Sequence, residues 1–364
     1  MSIVFFIIGL VLLITGAELF LNSVDKFGIA WRISPLIMGL TVVAFATGAP
    51  ELAISLQAAA DGQPDLVLGN IIGSNISNIL LILGITGVLA PLAITNKVIK
   101  RDIPMVLAAS VLMYVLAMDG WLTPLDGFII LAALVAYSMF IYFQIKSDRK
   151  KNTGEDLSNA AQEILKGSPT WFYTKYLFLL LGGLVMIVAG SRLMVDAAVT
   201  IAEVLGVSEL IIGLTIVSIG TSLPEVATSL SAARKGDSDT AIANVLGSNL
   251  YNILLTLGLT IVIAPGALSV SAEAIRFDMP VMIIVVVACL PLFWPGKELG
   301  RAEATGFLLY YASYLGYLVL LAMGHAVVDT FELVMIWGII PLTILLIIVK
   351  FVMDLRDKKM ARKE

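Results

Sequence analysis

Hydrophobic positions along the chain gather into eleven apolar segments. They run Ser2–Leu21, Ile33–Ala60, Leu66–Ala90, Ile103–Met118, Leu125–Ile145, Tyr176–Val195, Leu210–Ala232, Ala241–Ala264, Met279–Phe293, Gly306–Met323 and Leu333–Val352. Most are near the ~20 residues a helix needs to cross a bilayer; the fourth and ninth are short. One sizeable hydrophilic stretch, Lys146–Lys175, separates the fifth segment from the sixth. The pattern predicts an all-α integral membrane protein. It divides into a five-helix unit over 1–145, a cytoplasmic linker over 146–175, a second five-helix unit over 176–325, and an extra helix with a basic tail over 326–364. Ser2–Leu21 lacks a basic flank and a small-residue cleavage site, so it reads as a first transmembrane helix, not a removed signal peptide.

The two units repeat each other. Gly39–Leu56 (GLTVVAFATGAPELAISL) returns 174 residues later as Gly213–Leu230 (GLTIVSIGTSLPEVATSL), with ten of the 18 positions identical. A second element, Asn70–Gly84 (NIIGSNISNILLILG), returns as Asn244–Gly258 (NVLGSNLYNILLTLG) at the same offset. Five helices separate corresponding positions, an odd number, so the units take opposite orientations in the membrane. Inverted repeats with broken helices and a site at their interface are the architecture of secondary transporters.

Composition and charge sharpen this. The 364 residues are 59% hydrophobic and 14% charged, with a mean hydropathy of +0.98, well outside the range of soluble domains. With the N-terminus placed outside, 21 of the 23 lysines and arginines fall in cytoplasmic loops or the tail, and only Arg192 and Arg276 do not. The positive-inside rule therefore predicts a multi-pass protein of the cytoplasmic membrane, N-terminus outside and C-terminus in the cytoplasm. A single cysteine, Cys289, and a single histidine, His325, exclude a disulfide framework, a thiol metal cluster and a histidine relay. No GxxxxGK[ST] run occurs, so no nucleotide drives transport directly. Nothing points to nucleic acid, to a cofactor or to an obligate protein partner; inorganic cations and the lipid bilayer are the expected partners.

The chemistry lies in the repeated segments. Each carries a proline in an apolar run and a glutamate directly after it: Pro50–Glu51 and Pro224–Glu225. Proline removes a backbone donor and frees carbonyls, and a charge at the centre of a membrane helix costs roughly 2.5–3.5 kcal/mol on insertion scales. Thr47 and Glu51, Thr221 and Glu225, Ser74 and Asn78, and Ser248 and Asn252 are each four apart and so share a helix face. Folding the units about a pseudo-two-fold axis gathers Glu51, Glu225, Thr47, Thr221, Ser74, Ser222, Ser248, Asn78 and Asn252. All offer oxygen and none sulfur, a donor set for hard cations, with flexible Ca2+ better suited than Mg2+. Two facing carboxylates repel; one divalent cation, two monovalent cations or two protons neutralise both. That charge count describes an antiporter.

At these residues, TGAPE at 47–51, TSLPE at 221–225 and the GSNxxN segments at 73–78 and 247–252, the chain resembles the calcium/cation antiporters, of the prokaryotic sodium/calcium exchanger type. The resemblance covers about residues 1–325. It implies that Glu51 and Glu225 coordinate calcium with Thr47 and Thr221. It further implies that Ser74, Ser222, Ser248, Asn78 and Asn252, with the backbone carbonyls of Ala44 and Ser218, complete calcium and sodium sites. The first and sixth helices would slide together to alternate access. Two positions depart from the family pattern: Gly48, where a serine is usual, and Asn252, where some exchangers carry aspartate. They leave the number of sodium ions open, and proton-driven Ca2+ exchange stands as the alternative. Aspartates at loops and helix ends argue against an intramembrane aspartyl protease, and a channel would need a continuous water path.

Overall fold

The computed structural model describes residues 2–151, 169–204, 218–294 and 296–360. Much of the expected linker, the start of the expected seventh segment with Gly213, and the end of the basic tail lie outside these residues. The described chain is built from helices, as a lipid-exposed backbone must be to satisfy its own polar groups. In order they are α1 (Ser2–Trp31), α2 (Pro35–Thr47), α3 (Ala49–Ala60), α4 (Pro64–Leu89), α5 (Ile103–Ala117), α6 (Pro124–Lys151) and α7 (Pro169–Val204). They continue with α8 (Ser218–Thr221), α9 (Leu223–Arg234), α10 (Ser238–Ile263), α11 (Ala274–Phe293), α12 (Arg301–Ala322) and α13 (Val328–Met353).

Among the described residues, eight helices are long and apolar enough to cross a membrane, and α2 with α3, bent by 43° at their junction, makes a ninth. At 15 residues, α5 falls short of a full span. Two helices exceed their expected lengths. Helix α1 runs to Trp31 rather than Leu21, and α7 covers 36 residues, because their polar ends stay helical past the apolar runs.

Four two-residue strands, not expected from the sequence, join the loops: β1 (Leu92–Ala93), β2 (Trp121–Leu122), β3 (Leu268–Ser269) and β4 (Glu298–Leu299). β1 pairs antiparallel with β4, and β2 with β3, so each ladder joins one half to the other.

The halves meet about a local two-fold. A β carbon on Gly9 would lie 2.7 Å from the Gly190 carbonyl, and one on Gly16 would lie 2.8 Å from that of Gly183. The 174-residue shift carries Gly9 to Gly183 and Gly16 to Gly190, so each glycine meets the equivalent of the other. Glycine lets the backbones of α1 and α7 touch, the close approach that small residues give membrane helices.

Helices α4 and α10 form the centre. Seventy-two per cent of each apolar window is buried, against at most 28% for the other unbroken spans. Both contain a π-helical turn at equivalent positions, Asn78–Ile82 and Asn252–Leu257, a feature that clusters at functional sites. Gly247 of α10 packs closely, its β-carbon direction 2.7 Å from Cβ of Ala44. Its repeat equivalent, Gly73, does not. Nothing lies within 4 Å of its β-carbon direction, so it seals no interface.

Candidate cation site

The glutamates are set by the helix breaks. Gly48 (φ −79°, ψ 2°) and Ser222 (φ −89°, ψ 4°) each interrupt a helix at equivalent places. The following helices, α3 and α9, begin with proline in the first turn, where its missing N–H is harmless. Glu51 and Glu225 then fall in those first turns, at the positive end of each short helix. The new helices pick up the break residues as their first acceptors: Leu52 N donates to Gly48 O at 3.2 Å and Val226 N to Ser222 O at 3.1 Å. Both carboxylates are 1% exposed.

The oxygen ligands expected from the sequence are largely buried. Thr47, Ser222, Ser248, Ser74, Asn78 and Asn252 are all buried. Ser248 Oγ lies 3.5 Å from Glu225 Oε1. Thr47 Oγ1 faces the Val43 carbonyl at 3.1 Å and Asn244 Oδ1 at 3.3 Å. The Ala44 carbonyl is not wholly freed by the break, since Gly48 N donates to it at 3.1 Å, leaving one lone pair. Ser218 and Thr221 lie on α8, and their side chains are outside what the structure describes.

Four buried oxygens in this group have no hydrogen-bond partner: Glu51 Oε2, Glu225 Oε2, Asn78 Oδ1 and Asn252 Oδ1. They come as two repeat-equivalent pairs and all are acceptors. Buried polar atoms are normally paired, and no side-chain donor is offered to them. Among the described residues no cluster of three or more His, Cys, Asp or Glu could hold a metal. A cation here would take two carboxylates and complete its shell with hydroxyl, amide and carbonyl oxygens.

Around this group runs a polar frame that motif reading did not single out. Asn70 Nδ2 donates to Glu51 O at 3.1 Å and to Ser55 Oγ at 2.9 Å. Its equivalent, Asn244, donates to Glu225 O at 3.4 Å, Ser229 Oγ at 2.8 Å and Thr228 Oγ1 at 2.9 Å. Between α4 and α10, Asn78 Nδ2 donates to Asn249 Oδ1 at 2.9 Å, and Asn249 Nδ2 donates to Asn75 O at 3.2 Å. The hydroxyls of Ser77 and Ser222 lie 3.2 Å apart. The signal for most of these was present, since Asn70/Asn244, Asn75/Asn249 and Ser55/Ser229 recur at the 174-residue offset. Helix α7 is also fastened to the second break, Ser191 Oγ donating to Gly220 O at 2.9 Å.

Residues 1–146 and 175–320 match the sodium/calcium exchanger protein family. The sodium/calcium exchanger MaX1 of Methanosarcina acetivorans is 31% identical over 342 residues, covering 85% of this chain and 96% of that protein. The inner membrane protein YrbG of Escherichia coli K12 is 34% identical over 312 residues, covering 84% of this chain and 94% of its own length. A solved structure of the sodium-calcium exchanger NCX_Mj superposes with a TM-score of 0.72 at 28% identity, covering 87% of this chain and 98% of that one.

Proposed function

The chain belongs to the sodium/calcium exchanger protein family, and from that premise we propose that it exchanges Ca2+ for Na+ at the paired glutamates Glu51 and Glu225. It is an integral multi-pass membrane transporter, a cation antiporter and not an enzyme. The observation that carries the proposed site is the set of four buried, unpartnered acceptor oxygens on Glu51, Glu225, Asn78 and Asn252. A cation bound among them satisfies all four at once and also neutralises the carboxylates. A Ca2+ ion neutralises both carboxylates, and so do two Na+ ions; the empty dianionic site is the state that low dielectric penalises. Return without a cargo is thereby disfavoured, which couples the two ions.

Thr47 and Thr221, Ser74, Ser222 and Ser248, and the carbonyls of Ala44 and Ser218 supply the remaining oxygens in this reading. Alternating access would come from α1 and α7 moving as one piece across the broken helices, with residues 1–145 and 176–325 as the repeats. The glycine crossing supports α1 and α7 moving together. The basic loops support an N-out orientation in the cytoplasmic membrane, and the similarity to an inner membrane protein supports that location.

The test is calcium-45 uptake into proteoliposomes loaded with sodium, potassium or choline, with and without a pH gradient. Uptake that needs internal sodium supports the reading. Uptake that ignores sodium and follows the pH gradient replaces it with Ca2+/H+ exchange.

A further inference from the structure

The two halves of the site occupy equivalent positions but are not chemically equivalent. At the second break, Ser222 brings a buried hydroxyl to 3.2 Å from that of Ser77. Shifting that pair by 174 residues gives Gly48 and Tyr251. One hydroxyl is absent there, and a phenol ring stands where the other half has a serine.

The backbone does not demand this glycine, because φ −79° and ψ 2° are open to any L-residue. A β carbon at Gly48 would sit 3.1 Å from Ala44 O, a tight contact that requires the carbonyl to give by a few tenths of an ångström, and 3.7 Å from Asn252 Oδ1. That amide oxygen is one of the four without a partner. Beside Gly48 opens a cleft of about 30 Å³ whose lining is largely apolar, including Phe45, Leu52 and Leu255 around Tyr251. The Tyr251 ring meets Phe45 at 6.0 Å and Tyr137 at 6.5 Å. The first half therefore lacks one oxygen ligand and adjoins an apolar wall.

The fixed charge points the same way. Asn78 and Asn252 are neutral, so the two glutamates alone set it. One Ca2+ or two monovalent cations balance it; a third monovalent cation would leave net positive charge in a buried site. The place where repeat symmetry would hold that ion is the place where the hydroxyl is missing.

We propose that Gly48 limits this exchanger to two monovalent cations per Ca2+, so that a transport cycle moves two positive charges each way and none net. The proposal rests on the exchange reading above and deepens it. It is tested in proteoliposomes whose membrane potential is set by potassium and valinomycin, measuring steady-state calcium-45 accumulation driven by a sodium or proton gradient. Wild-type accumulation is expected to be unchanged between 0 and about ±60 mV, with a sodium-22 (or proton) to calcium-45 flux ratio of two. One net charge per cycle would instead change accumulation about tenfold for each 60 mV or so.

Gly48→Ser is expected to gain that voltage dependence. Gly48→Ala, which fills the same space without an oxygen, is expected to stay insensitive. Voltage-dependent accumulation or a ratio of three in the wild type overturns the proposal, as does a Gly48→Ser variant that transports without responding to voltage. Should Gly48→Ser not fold, the wild-type flux ratio decides alone. Wild-type protein that shows no cation-driven calcium uptake overturns the exchange reading beneath it instead.

Discussion

Asn244 donates its side-chain amide to the backbone carbonyl of Glu225, 19 residues earlier on the preceding helix. The same amide group accepts from Thr47 of the other half through Oδ1, so one side chain ties a glutamate turn to the opposite break. Asn70 makes the equivalent bond to Glu51. Removing a buried bond partner costs about 1–3 kcal/mol. Asn244→Ala is expected to lower thermal stability in detergent by that amount and to reduce calcium uptake. Asn70→Ala should do less, because no bond to the opposite half accompanies it. Equal losses in the two variants would remove the special place given to Asn244.

The α1–α7 crossing makes a steric prediction. A β carbon at Gly183 would lie 2.7 Å from Phe20 N, whereas at the neighbouring Gly182 nothing lies within 4 Å. Gly183→Leu is expected to destabilise the fold by at least the ~1–3 kcal/mol typical of overpacking, because the obstacle is backbone. Gly182→Leu should leave the melting temperature nearly unchanged. Melting curves of the two purified variants check the contrast.

Ser222 and Ser77 predict ion selectivity. Ser222→Gly would make the second break resemble the first. Sodium should then be held more weakly, by about tenfold in the concentration that half-inhibits calcium binding, while calcium affinity changes less because both carboxylates remain. A loss confined to calcium would contradict the assignment.

Tyr314 OH donates to Asp278 Oδ1 at 3.0 Å, and neither residue belongs to the proposed cation site. Tyr314→Phe is expected to cost about 1 kcal/mol of stability and to leave the sodium dependence of uptake unchanged.

Much of this was legible in the chain because the repeat printed its chemistry twice. A Pro-Glu pair in an apolar run is conspicuous once, and its return at Pro224–Glu225 located the halves. The polar frame was harder. Asn75 and Asn78 lie three apart on one helix, and composition cannot say which amide turns its donor outward and leaves its oxygen bare. In the structure both keep an unpartnered Oδ1, but Asn78 spends its donor across the interface on Asn249, a long-range choice. Gly73 and Gly247 look identical in their motifs, yet only Gly247 meets a neighbour. The strands β1 to β4 were invisible because two residues have no periodicity and their partners are distant in sequence. The ends of α1 and α7 were missed because hydropathy marks where the lipid stops, not where the helix does.

The measurement that bears most directly on the paired-glutamate site is equilibrium calcium-45 binding to the purified protein in the absence of sodium, for wild type, Glu51→Gln and Glu225→Gln. One Ca2+ per chain is expected in the wild type, with affinity falling at least about 100-fold in each variant, near 3 kcal/mol. Sodium should displace the bound calcium. Undiminished binding in both variants would contradict the site.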